Sequence, residues 1–441
     1  MKKTFLYTLL ILATILVFAA CEHNHPEKKF DPRSIPLTIE FYGLGGKVVF
    51  ENAPSNLKYS INDGRIQQLG KDNDTIALGD TQKVSLYLTR SSSSVDKPLT
   101  INCEGSDCYV YGNVMSLYSE SNYENMDYVY PYAFKGLFCQ NQNIKNHPEY
   151  DIYLPATKLK EHCYDEMFKN CTNITKAPEL PATTLAESCY ESMFQGCKNL
   201  ESAPDLTVTV LTPRCYKGMF EGCESLVSAP RILAEKMNTE SCDSMFASCK
   251  SLKVAPELLS TELAEGCYKS MFEYCKNLTG APVLPAKTLA KECYANMFAN
   301  CRSLTTAPTL PATTLAEGCY RMMFYSCKSL TTAPTLPATM LASSCYESMF
   351  EECSSLTVAP VLPATKLVNN CYLKMFRNCV ELAKITCLAT DISASSATHN
   401  WVGDYDYSCS VADSGTFVKA KDVNWPKGKS GVPSGWKVVE Q

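Results

Sequence analysis

From residue 163 onward, apolar side chains return at fixed places along the chain. Met167, Met193, Met219, Met245, Met271, Met297, Met323, Met349 and Met375 stand 26 residues apart, and a Phe follows each of them. A Cys stands four residues after every Met, and another stands four before it in every unit except one, which carries Ser241-Cys242 where Cys-Tyr is expected. Written out, the unit is Cys-Tyr-x-x-Met-Phe-x-x-Cys-x-x-Leu-x-x-Ala-Pro-x-Leu-Pro-Ala-x-x-Leu-Ala-x-x. Self-similarity at this period marks an array in which each unit buries against its neighbours what it cannot bury alone.

Within a unit, Cys, Met and Cys at i, i+4 and i+8, with Tyr and Phe at i+1 and i+5, predict a helix of about three turns with one broad apolar face. Thr184-Leu185-Ala186-Glu187 and Thr314-Leu315-Ala316-Glu317 have the spacing of a capping box at its start. Asn170, Gly196, Gly222, Asn300 and Asn378, each just before the second Cys, suit the left-handed residue that ends a helix. The Leu-x-x-Ala-Pro-x-Leu-Pro that follows predicts a short extended segment, because Pro removes a ladder donor at the same place in each copy. The expectation is an α/β solenoid of about nine 26-residue units. A degenerate copy at Ala133-Phe134-x-x-Leu137-Phe138 precedes them as a cap.

Ahead of the repeats the pattern changes to short β-type runs: Leu37–Phe41, Lys47–Phe50, Leu57–Ile61, Val84–Leu88 and Leu99–Ile101. Turn signals such as Asn62-Asp63-Gly64 separate them, which predicts a small all-β, sandwich-like domain. Gly43-Leu44-Gly45-Gly46 reads as a hairpin turn, since no helix pattern and no Lys-Ser/Thr pair follows it. Cys103 and Cys108 bracket a plausible hairpin loop and are the candidates for a disulfide.

The first twenty residues have a basic start (Lys2, Lys3), an apolar run from Phe5 to Phe18, and Ala19-Ala20 just before Cys21. This resembles a bacterial lipoprotein signal, with Phe18 standing where Leu is usual. The resemblance implies lipidation of Cys21 and anchoring to a membrane, with an outer-membrane or cell-surface location. Domain boundaries follow: a signal at 1–20, a lipidated tether at 21–34, the β domain at 35–118, the repeats at 119–388 and a C-terminal cap at 389–441. The 441 residues carry 41 Lys+Arg against 46 Asp+Glu, a net charge of −5. Removing the signal takes away Lys2 and Lys3 and leaves 39 against 46, or −7. With no clustered basic stripe, nucleic acid is excluded as an expected partner.

The repeat core Met-Phe-x-x-Cys-x-x-Leu, with Pro after the strand, resembles the BspA-like leucine-rich repeat family of bacterial surface lipoproteins. The resemblance runs from Ala133 to Leu388, and the 26-residue unit is longer than the family's usual one. It implies a leucine-rich-repeat solenoid and a non-enzymatic, adhesin-like role in binding host or cell-surface proteins. The role comes by analogy, since fold alone does not fix function. The alternative is a carbohydrate-binding lipoprotein of a glycan-uptake system, in which Trp401, Trp425 and Trp436, all after the last repeat, would be an exposed stacking platform; the favoured reading of these three is a cap that covers the open end of the solenoid.

The paired cysteines read as buried, reduced core thiols. Two on one helix eight residues apart are separated by ~12 Å, beyond the reach of a bridge. No metal is expected, because neither Cys-x2-Cys spacing nor a His column accompanies them. None of the five His residues stands with a nucleophile signature, so no cofactor and no catalytic residue is assigned. Columns that vary between copies are the candidate contact surface. Thr305, Thr306, Thr309, Thr331, Thr332 and Thr335 form a threonine-rich stripe where earlier copies carry Glu201, Asp205, Arg231, Lys253 and Glu257.

Overall fold

The computed structural model describes residues 31–70, 74–79, 82–90, 97–403 and 411–441. The predicted signal, Cys21 and most of the tether lie outside the described residues. Eight strands form the N-terminal part: β1 (Thr38–Phe41), β2 (Lys47–Glu51), β3 (Lys58–Ile61), β4 (Gln67–Gln68), β5 (Thr75–Ala77), β6 (Lys83–Tyr87), β7 (Thr100–Glu104) and β8 (Cys108–Asn113). They make two antiparallel sheets, ordered β8-β1-β6-β3-β4 and β5-β2-β7. Alternating residues such as Ile39, Val48, Val84, Ile101 and Val110 fill a shared core. The hairpin expected between Cys103 and Cys108 is instead an arch, because β7 pairs with β2 while β8 pairs with β1 in the other sheet. Both thiols point into the core and are free.

The larger sheet continues into the first coil of the repeats. β9 (Ile144–Asn146) and β10 (Ile152–Tyr153) both pair in parallel with β8, in the registers Cys108↔Ile144 and Gly112↔Ile152. Gly112 has a φ of +93°, and a Cβ there would meet the Pro36 carbonyl oxygen at 2.2 Å, so only glycine fits this crossing. The β domain and the coils consequently share one apolar core.

Among the described residues there is no α-helix, which corrects the expected α/β character of the repeats. The Cys-Tyr-x-x-Met-Phe-x-x-Cys segment is a chain of tight turns, with a left-handed residue before each Cys and Met. In one coil these are Ser188, Ser192 and Gly196, with φ of 51°, 52° and 73°. Amides alternate in their partners. The amides of Met193 and Cys197 bond within the coil, to the Tyr190 and Phe194 carbonyl oxygens, at 3.2 and 3.0 Å. Those of Tyr190, Ser192, Phe194 and Gly196 donate to Cys215, Lys217, Met219 and Glu221 of the next coil, at 3.1, 2.8, 2.9 and 2.7 Å. A four-residue period keeps Cys, Met and Cys on one side, whereas an α-helix would turn them by roughly 40° every four residues. The proposed capping-box residues also have another role: Thr184 pairs with Lys158 and Thr314 with Thr288 in parallel bridges.

These turn-to-turn bonds all run one way, from the amide of one coil to the carbonyl of the next, so their peptide dipoles align along the stack. The carbonyl end, at the first coil, is closed by the β domain. Arg90 Nη2 donates to the Ala133 oxygen at 2.9 Å and the Ile101 amide donates to the Leu137 oxygen at 2.7 Å. A cation at the carbonyl end is the favourable arrangement, as at a helix C-terminus. At the opposite end the Asn400 amide donates to Ser430 Oγ at 3.0 Å and the Val402 amide to the Lys429 oxygen at 3.2 Å.

The Phe column runs from Phe138 to Phe376 with neighbouring rings stacked at 5.5 to 5.9 Å. It ends on Trp401, which also ends the Tyr column, 6.4 Å from Tyr372. Cys242 replaces Tyr in that second column and interrupts it between Tyr216 and Tyr268. The hydroxyls of Tyr164 and Tyr268 are buried without a hydrogen-bond partner. Both sit in a column where ring stacking, not the hydroxyl, sets the side chain's place.

Candidate functional site

The Leu-x-x-Ala-Pro-x-Leu segments lie side by side as a column of parallel pairs. Bridges join Lys176 to Ser202, Ser228 to Val254, Val254 to Gly280 and Thr306 to Thr332. Beyond β9 and β10 of the first coil, full strands form among the described residues only at the far end, where β11 (Val358–Leu362), β12 (Lys384–Cys387), β13 (Thr416–Lys419) and β14 (Lys437–Glu440) pair in that order. The Leu and second Leu of each segment point inward, as Leu304 and Leu310 do, and Pro308 and its equivalents limit the ladder. Three positions per coil then face outward: the two after the first Leu and the one after Pro.

All six candidate threonines are exposed on this face. Thr306 and Thr332 are cross-strand partners, which brings Thr305, Thr309, Thr331 and Thr335 alongside in the flanking columns. The stripe extends one coil each way, through Thr279, Gly280 and Val283 on one side and Thr357, Val358 and Val361 on the other, all exposed. The valines were not singled out from sequence, although their place in the 26-residue register marks them. Val283 is 69% and Val361 53% exposed. Over these four coils no outward position of the three columns carries a charge.

The earlier coils differ. There Glu201, Asp205, Arg231, Lys253 and Glu257 occupy the same columns. Asp205 Oδ2 lies 2.6 Å from Arg231 Nη2, and the guanidinium's hydrogen bond holds the carboxyl below its ordinary range. Charges on that half are partly spent on each other between coils.

A basic row borders the uncharged half. Lys276, Arg302 and Lys328 follow the second Cys of three successive coils, are exposed, and have no ion-pair partner among the described residues. Lys250, one coil earlier, pairs with Glu224 at 2.9 Å. Stacked like charges repel, so this row favours an acidic counterpart.

Other titratable groups are structural. Asp165 is buried and accepts from Lys135 Nζ and contacts His162 Nδ1, both at 2.8 Å, knitting the first two coils. Among the described residues no three His, Cys, Asp or Glu gather as a metal site. Trp401, Trp425 and Trp436 are buried in the C-terminal segment, so they do not make the exposed stacking platform of the glycan alternative. Trp401 Nε1 donates to the Gly431 oxygen at 2.9 Å and Trp436 Nε1 to the Ala412 oxygen at 2.7 Å.

Repeated coils knit by backbone bonds, with one extended outward face, define a repeat protein of the kind that serves as a binding scaffold. The family description BspA type Leucine rich repeat region matches residues 109–279 and 267–397, in six copies, and the chain belongs to that family. No curated protein and no solved structure matches it.

Proposed function

We propose that this chain is a lipid-anchored, non-enzymatic surface protein that binds host or cell-surface proteins through the strand face of a nine-unit solenoid. The carrying observation is the uncharged Thr/Val face across four coils, exposed and bordered by unpaired cations. Such a face loses little on desolvation, while a charged one must find a partner for every ion it buries. Lys276, Arg302 and Lys328 then select a partner with an acidic border and speed its approach. Cys21 supplies the membrane anchor, and the location is the outer membrane or cell surface.

The test is binding of residues 21–441 to a panel of extracellular matrix and cell-surface proteins, beside the double variant Thr306→Lys, Thr332→Lys. Saturable binding that the variant loses, with an unchanged melting temperature, supports the reading. Binding that survives both substitutions, or none to any protein on the panel, refutes it.

A further inference from the structure

A second site lies at the far end of the stack. The face of β13 and β14 that carries Phe417, where it runs on past the core at Lys419, Val438 and Glu440, and the segment from Asp422 to Val432 line an open pocket of about 370 Å³. Val423, Trp425, Val432 and Val438 supply its apolar lining, and Lys419, Asp422, Asn424, Lys427 and Glu440 its polar lining. That size is near the lower bound for pockets that hold small molecules.

Trp425 makes this pocket more than a surface dip. Its ring is fixed by stacking on Trp401 at 5.6 Å and by an edge contact with Phe417 at 5.3 Å. The residue is only 6% exposed, yet its indole Nε1–H has no acceptor, unlike those of Trp401 and Trp436. A buried donor without a partner is costly, on the order of 1 to 3 kcal/mol, and a bound acceptor would relieve it. Asp422, Asn424 and Lys427 are likewise without hydrogen-bond or ion-pair partners among the described residues. Lys419 is already neutralised by Glu440.

We propose that this pocket binds one residue of a neutral saccharide, a site separate from the strand face and independent of the protein-binding role proposed for it. The lining charges cancel, two lysines against Asp422 and Glu440, which disfavours a net ion. Hydroxyls both donate and accept. They therefore match a wall in which Asp422 and Glu440 accept, Lys427 and the Trp425 N–H donate, and Asn424 does both. Val438, 41% exposed, offers a small apolar contact for the C–H groups of a sugar ring, while Trp425 contributes its N–H and not a ring face.

The test titrates residues 21–441 by calorimetry with glucose, galactose, mannose and N-acetylglucosamine oligosaccharides, and with free amino acids as zwitterionic controls. At least one sugar series binds saturably. Trp425→Phe, which keeps the stacked ring and removes the N–H, weakens it about tenfold or more. Asp422→Asn, which keeps a residue suited to the left-handed φ of 58° while removing the charge, and Lys427→Ala, both at exposed positions, weaken it at an unchanged melting temperature and decide the matter if Trp425→Phe does not fold. Failure of every sugar to bind, binding indifferent to Asp422→Asn and Lys427→Ala, or preference for a free amino acid overturns the proposal.

Discussion

Cys301 Sγ donates to the Phe272 carbonyl oxygen of the preceding coil at 3.1 Å. The same bond recurs from Cys171 to Cys379, at 2.9 to 3.2 Å. The thiol column is thus a line of weak donors that must stay protonated and reduced to fill its role. Cys301→Ala is expected to lower stability by about 1 to 3 kcal/mol, through a small cavity and the lost bond. Urea unfolding of the variant beside the parent measures it. In the native protein these thiols resist iodoacetamide and become reactive together on unfolding.

The thiols also set a pH limit. Burial pushes Cys163, Cys197, Cys275 and Cys327 up from 9.0 to about 12. Above pH 9 the unfolded chain releases thiol protons that the folded chain keeps, so stability falls as pH rises toward the folded value and is undiminished below 9. Each thiol contributes up to about 1.4 kcal/mol per pH unit. The urea midpoint should stay flat from about pH 7 to about pH 8.5 and drop steeply above about pH 9.

Arg90 closes the carbonyl end of the stack, donating to Ala133 and Leu117, and lies over the Tyr118 ring at 4.8 Å. Arg90→Met keeps the apolar stem and removes the donors. A loss of about 2 kcal/mol is expected, with faster hydrogen exchange in the first coil than in the last. An unchanged exchange pattern would show that the β domain seals this end without the guanidinium.

Tyr274 is 44% exposed and sits at one of the left-handed positions, with φ of 60°. Tyr274→Asn should raise stability by about 0.5 to 1 kcal/mol, and Tyr274→Val should lower it by about 1 to 2 kcal/mol. Paired thermal melts test both signs. In an α-helix the order would differ, since Asn and Val have similar helix propensities.

The 26-residue period, the inward columns and the outward Thr stripe were legible in the sequence, because each is a matter of which side chains recur at which interval. The stop residues Gly196 and Asn300 were also placed in the right conformation, with φ of 73° and 62°. Their role was misread, since the same conformation recurs four and eight residues earlier, at Ser188 and Ser192 and at Glu292 and Asn296. An i, i+4, i+8 pattern fits a helix and a chain of four-residue turns about equally over one short segment. Gly218, Gly266 and Gly318, poor helix residues at the first of these places or four later, were the available sign of turns. Only the tertiary structure decided between the two. Every second amide that a helix would bond within itself is satisfied here by a carbonyl 25 residues further along the chain, as Tyr190 is by Cys215. Those partners exist only once the coils have stacked, and the same stacking settled, between the cap favoured from sequence and an exposed platform, that the three tryptophans face the interior.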